Sequence, residues 1–164
     1  MRDKIVEINK LLDTQKHYTL QEAKAEIPTK ASGFYWIYTK LSLACFIKAP
    51  APINPAHIDL SLMASVHRDL EWVIKQRNSD YWCIYNGKGT DLKGRMFAGF
   101  TNTDGQTGKL ALTRCFKESD FRVKFIVCNS KNPNYGIDCS FAELQRDLER
   151  VWRLNFGWPL LSRT

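Results

Sequence analysis

No apolar run in the chain reaches the roughly 18 residues that spanning a bilayer takes, so an integral membrane role is not expected. Nor is there a CxxC pair or a zinc-like spacing among the five cysteines, Cys45, Cys83, Cys115, Cys128 and Cys139. Their odd number and scatter exclude a disulfide framework and a structural zinc site. Cys83 and Cys128 fall in apolar, strand-like runs and read as buried free thiols. His17, His57 and His67 are the only three histidines and form no ligand pattern. Internal repeats and low-complexity tracts are missing, and an RNP1-type RNA-binding pattern is absent. The start, Met1-Arg2-Asp3-Lys4, leads into an amphipathic pattern without a secretory apolar region, which points to a soluble cytoplasmic protein.

What is present is apolar mass and positive charge. At 164 residues and 44% hydrophobic composition, the chain suits a single domain with a real core. The net charge is +7, which favours a polyanionic partner such as nucleic acid or anionic lipid. Aromatics make up 12%, with five tryptophans, and aromatics mixed with Lys and Arg suit nucleic-acid contact as well as core packing.

Periodicity gives the outline. Ile5, Ile8, Leu11 and Leu12 predict a helix over 2–12, and Thr19 with Glu22 forms a capping box opening a second helix that Pro28 ends. Gly33–Tyr38 is aromatic and β-prone. Ala49-Pro50-Ala51-Pro52 is a stiff loop, and Asn54-Pro55 reads as an N-cap with a first-turn proline. Leu60, Met63, Val66, Leu70, Val73 and Ile74 then predict one long helix to about Gln76. Tyr81–Tyr85 is a second strand, Leu92, Met96 and Phe97 mark a short helix, and 101–109 is a loop. Phe121–Cys128 is a third strand. Ser140 caps a final helix with Phe141, Leu144, Leu148, Val151 and Trp152 on one stripe. The expected architecture is α+β: a small three-stranded sheet flanked by helices, with an inserted helix between the first two strands. Residues 1–30 form an N-terminal helical extension, and about 45–78 an inserted loop and helix.

The chemistry concentrates in Tyr85-Asn86-Gly87-Lys88-Gly89-Thr90-Asp91-Leu92-Lys93-Gly94-Arg95. Here a strand runs into a Gly-rich turn and then a helix, and glycines let backbone N–H groups approach a phosphate. Lys88 and Lys93 add charge, and the Arg95 guanidinium suits a phosphate grip. The bland alternative is a plain strand–turn–helix connection with solvated lysines.

Gly33-Phe34-Tyr35, Tyr85-Asn86-Gly87 and Arg95, ten positions after Tyr85, resemble the ordered motifs of the GIY-YIG endonuclease superfamily. The small Type II restriction enzymes of that superfamily are the nearest likeness. The resemblance covers roughly 31–164 and implies a metal-dependent DNA endonuclease acting on double-stranded DNA with Mg²⁺ or Mn²⁺. By it, Tyr35 is the general base, Tyr85 its neighbour, and Arg95 the stabiliser of the pentavalent phosphate. Lys88 lowers a tyrosine pKa or steadies negative charge.

The resemblance also implies a late-helix glutamate that holds the metal. Glu143 is the first choice, because the tail Trp158–Thr164 looks like the Pro-Ile-Leu-Cys ending of a small restriction enzyme of the family. Glu149 is the alternative, its Leu-Glu context resembling the family's repair enzymes. The inserted helix, with Arg68, Lys75 and Arg77, is a candidate DNA-reading element beside Lys93, and homodimerisation stays open. The family's histidine or tyrosine four residues after the arginine is here Gly99. That departure favours a DNA-binding module without cutting. A structure-specific repair or recombination nuclease and an RNA-binding α+β domain are further readings.

Overall fold

The computed structural model describes residues 2–101 and 109–163. The order of elements is α1 (Arg2–Thr14), α2 (Leu20–Glu26), β1 (Gly33–Thr39), α3 (Leu43–Ile47), α4 (Leu60–His67), β2 (Trp82–Gly89), α5 (Leu92–Thr101), β3 (Phe121–Cys128), β4 (Gly136–Ile137), α6 (Phe141–Leu144) and α7 (Leu148–Phe156). The fold is α+β, and the sheet has four strands in the order β2-β1-β3-β4. β1 is antiparallel to both β2 and β3, while the short β4 runs parallel to β3.

Central β1 is buried on both faces, which is why Phe34, Tyr35, Trp36 and Ile37 read as an unbroken apolar run instead of an alternation. Tyr35 and Ile37 join one core with residues of α2, α4 and α5. Phe34 and Trp36 join the other with α1, α6 and α7. Helices therefore cover both faces of the sheet.

The three-stranded expectation needs correcting, because β4 is only two residues long and carries no alternation to detect. Further along β3, where β4 does not reach, a side chain takes the strand's place. The buried Gln15 amide accepts from Phe125 N at 2.8 Å and donates to Phe125 O at 2.9 Å. Tyr18 exchanges backbone hydrogen bonds with Val123 beside it, so β3's outer edge is paired without a full fourth strand.

The insert also differs from expectation. The long helix to Gln76 is confined to α4, followed by irregular chain. Asn54 does not cap it. Its Oδ1 accepts from Ala56 N in a turn, and Asp59 is the N-cap, accepting from Leu62 N at 3.0 Å. Beyond α4 the backbone is claimed by tertiary partners: Ile74 N donates to Trp158 O at 2.8 Å, and Trp158 N to Trp72 O at 2.7 Å. Those bonds seat Val73 in a bridge opposite Trp158, after two turns, in place of the helix its spacing suggests. The final helix is likewise broken, into α6 and α7. The loop expected over 101–109 lies, apart from its two end residues, outside the described residues.

Candidate active site

One face of β2 is set by a bulge. Ile37 pairs with Tyr85 and Tyr38 with Cys83, leaving Ile84 without an opposite residue on β1. The extra residue shifts the alternation, so Tyr85 and Gly87 share a face with Tyr35 and Ile37. The Tyr35 and Tyr85 rings lie 6.0 Å apart between centroids.

The glycines of this segment make room for side chains. The strand continues through Gly89 and does not form the expected phosphate-cradling turn; Gly87 is paired with Tyr35 and Gly89 with Gly33. A Cβ on Gly87 would lie 2.7 Å from the Tyr35 ring and hydroxyl, and one on Gly89 would lie 2.8 Å from the Arg95 Cβ. Gly87 thus lets Tyr35 lie across β2, and Gly89 lets the arginine stem pack on the strand. Arg95 itself sits one turn into α5, with its N–H bonded to Asp91 O at 2.9 Å.

The opposite face of β2 carries Asn86 and Lys88, and α7 packs there. Lys88 Nζ stands 3.7 Å from Glu149 Oε2 and donates to the Gln145 carbonyl. In an unbroken helix that carbonyl would accept from the N–H four residues on; the break between α6 and α7 frees it for the lysine. Arg153, four residues after Glu149, donates through Nε to Asn86 Oδ1 at 2.9 Å.

These residues converge on one cleft of about 390 Å³ lined by Tyr85, Lys88, Arg95, Glu149, Arg153 and Arg163, among others. Four cations there face one carboxylate. Of the residues expected at the site, Tyr85, Lys88, Arg95 and Glu149 come together. Glu143 does not. Its carboxylate is exposed and closes the α6 capping box, accepting from Ser140 N at 3.1 Å and Cys139 Sγ at 3.2 Å. These hydrogen bonds, the Cys139 one foremost, hold its pKa below the usual carboxylate value. A residue employed at N3 of a cap faces its own helix start and not the β2 edge, so of the two late glutamates Glu149 is the one that lines the cleft.

Tyr35 also departs from expectation. It is 1% exposed and does not line the cleft. Burial drives its pKa well above the ordinary tyrosine value, Tyr85 pushes the same way, and Arg95 opposes. A hydroxyl so enclosed is a poor base for water. Tyr85, which does line the cleft, is raised less strongly: burial lifts it and the Glu149 charge adds to that, while Arg95, Tyr35 and Arg153 pull it down. Glu149 is raised above the usual carboxylate value because burial outweighs Arg153, Lys88 and Arg95.

The remaining expected residues lie elsewhere. Lys93 is on α5 but does not line this cleft. Arg68 pairs with Asp69 at 3.4 Å, and its carbonyl accepts from Lys75 Nζ. Lys75 and Arg77 line a second cleft with Asp13, Tyr38, Asp80 and Lys124. Arg153 and Arg163 were not anticipated; the i, i+4 spacing of Arg153 from Glu149 was the only local signal for it. A Cβ at Gly99 would be 3.8 Å from the Tyr35 hydroxyl, so the open position flanks the buried tyrosine. No helix among the described residues is long and apolar enough to cross a membrane. Comparison with protein-family models, with curated proteins and with solved structures returns no match to this chain.

Proposed function

We propose that the chain is a metal-dependent DNA endonuclease of the GIY-YIG type, with its site in the cleft at the edge of β2. The observation that carries this reading is the convergence of Tyr85, Lys88, Arg95 and Glu149 from β2, α5 and α7 on one cleft. A phosphodiester is anionic and gains charge on the way to a pentavalent state. Preorganised cations around a small cleft stabilise that charge. Arg95 binds the reacting phosphate. Tyr85 takes the proton from the attacking water, its phenolate supported by Arg95, Arg153 and the Tyr35 hydroxyl. Tyr35 acts through Tyr85 as a positioning residue. Lys88 holds Glu149 in place and joins it to the α6–α7 break.

Glu149 is the residue that would hold Mg²⁺ or Mn²⁺. It fits as a half-buried carboxylate that lines the cleft and is the one acidic side chain there. Among the described residues no cluster of three or more His, Cys, Asp or Glu surrounds it. The protein would therefore supply one ligand, a sparse arrangement that suits Mg²⁺, which keeps waters and takes substrate phosphate oxygens. Bound there, the metal supplies positive charge for the leaving oxygen.

The test is incubation of the purified chain with supercoiled plasmid and with branched and single-stranded DNA, with Mg²⁺ or chelator. Metal-dependent nicking or linearisation that Arg95→Ala removes is expected. Intact DNA of all three kinds at high protein concentration sinks the enzyme reading. Gly99 favours a second reading, a GIY-YIG-like module that holds DNA without cutting it, since no side chain there reaches the Tyr35 hydroxyl. Salt-dependent DNA binding without cleavage in the same experiment selects it.

A further inference from the structure

Arg153 is held more firmly than a surface arginine needs. Its Nε donates to Asn86 Oδ1 at 2.9 Å, one Nη1 proton to the Arg163 carbonyl at 2.9 Å, and its guanidinium lies 4.6 Å over the Trp158 ring. The tail that supplies two of these partners is itself anchored. Leu161 N donates to Ile84 O at 2.8 Å, Trp158 Nε1 to Ser162 O at 2.8 Å, and His67 Nδ1 lies 2.7 Å from Leu160 O.

Asn86 is 1% exposed, and its Oδ1 accepts from both Arg153 and the Ser162 hydroxyl. Its Nδ2 is buried and has no hydrogen-bond partner among the described residues. An orphaned buried amide costs stability, and an apolar side chain would avoid it. The arrangement makes sense if Asn86 is there to orient Arg153. Nothing among the described residues takes the Nη2 protons or the second Nη1 proton, and Arg153 lines the cleft. No ion pair within 4.0 Å joins it to Glu149 among the described residues.

We propose that Arg153 is a second phosphate-binding residue of this cleft. It grips a nucleic-acid backbone phosphate from the α7 face of β2, while Arg95 grips its own from the α5 face. Asn86, Trp158 and the Arg163 carbonyl are its positioning partners. The proposal rests on the reading of the cleft as a phosphodiester site, but not on cleavage.

The experiment is fluorescence anisotropy of a labelled DNA duplex with the full chain in chelator, over a salt series, for wild type, Arg153→Gln and Arg150→Gln. Arg150 is exposed and does not line the cleft, so its variant controls for the loss of one charge. Arg153→Gln is expected to bind about 10- to 100-fold more weakly, as for a lost charge-assisted contact. The slope of log affinity on log salt should fall by about 0.9. Arg150→Gln should move both much less. Equal effects of the two variants overturn the proposal. Wild-type binding without cleavage under Mg²⁺ sinks the nuclease reading alone and leaves this one to the binding data. If Arg153→Gln fails to fold, as judged by near-UV circular dichroism, wild-type protein is treated with phenylglyoxal and peptide-mapped. Protection of Arg153 by the duplex supports the proposal, and unchanged modification overturns it.

Discussion

The site has two halves of different construction. The β1–β2–α5 half is built on regular elements: Tyr35, Tyr85, Gly87, Gly89 and Arg95 are set by one strand pairing across the insert, one bulge and the first turn of a helix. The α7–tail half is assembled at long range. Glu149 and Arg153 reach the cleft only because the final helix breaks, Lys88 takes a freed carbonyl, and the tail is bonded to β2 and to the insert. Spacing along the chain identifies residues of the first kind. It ranks residues of the second kind poorly, because a helix break and irregular contacts with the tail choose among them.

The sharpest way to break this contrast is to exchange the two late glutamates' fates. Glu149→Gln is expected to abolish metal-supported cleavage, whereas Glu143→Gln should leave it intact, since glutamine also serves at N3 of a capping box. Plasmid cleavage over a Mg²⁺ titration reads both. Loss of activity in Glu143→Gln with a fully active Glu149→Gln would return the metal to α6.

Within the first half, Tyr85→Phe is expected to lower the cleavage rate by about 10²–10⁴-fold with DNA binding kept. Tyr35→Phe should cost less, because Tyr35 is buried and does not line the cleft. Single-turnover rates order the two, and a larger defect in Tyr35→Phe would restore Tyr35 as the base.

Gly87→Ala probes the packing under that pair. A Cβ 2.7 Å from the Tyr35 ring forces the ring to move. A destabilisation of about 1–3 kcal/mol is expected, read by chemical denaturation. Wild-type stability would show that Tyr35 is free to shift.

The smallest effect is the pH dependence of Glu149. Its folded pKa is raised, so the folded state binds the proton more readily than the unfolded chain does. Ionisation therefore costs stability as pH rises through the folded value, and the cost fades as pH falls below the usual carboxylate range. In metal-free buffer Glu149→Gln should be more stable than wild type near neutrality, with the difference shrinking in acid. A difference independent of pH would contradict the burial of this carboxylate.

Much of the fold was legible for the same reason as the first half of the site. The helix over 2–12, the Thr19–Glu22 capping box and the three longer strands follow from spacing and caps that act locally. β4 was hidden by its length, and its missing continuation by a Gln15 side chain that stands in for a strand. The helix expected after α4 was lost to backbone bonds with Trp158, which sits more than eighty residues further on. Glu143 ranks first on the likeness of the tail, a signal that carries no information about its work as the N3 residue of a cap. Arg153 had no local mark beyond its distance from Glu149.

The central claim is that the β2-edge cleft is where DNA and metal meet. A crystal structure with a phosphorothioate duplex and Mn²⁺ tests it most directly. The account predicts anomalous Mn²⁺ density at Glu149, with a backbone phosphate on Arg95 and a neighbouring one on Arg153. Duplex seated instead on the cleft of Lys75, Arg77 and Lys124, with no metal at Glu149, would contradict it.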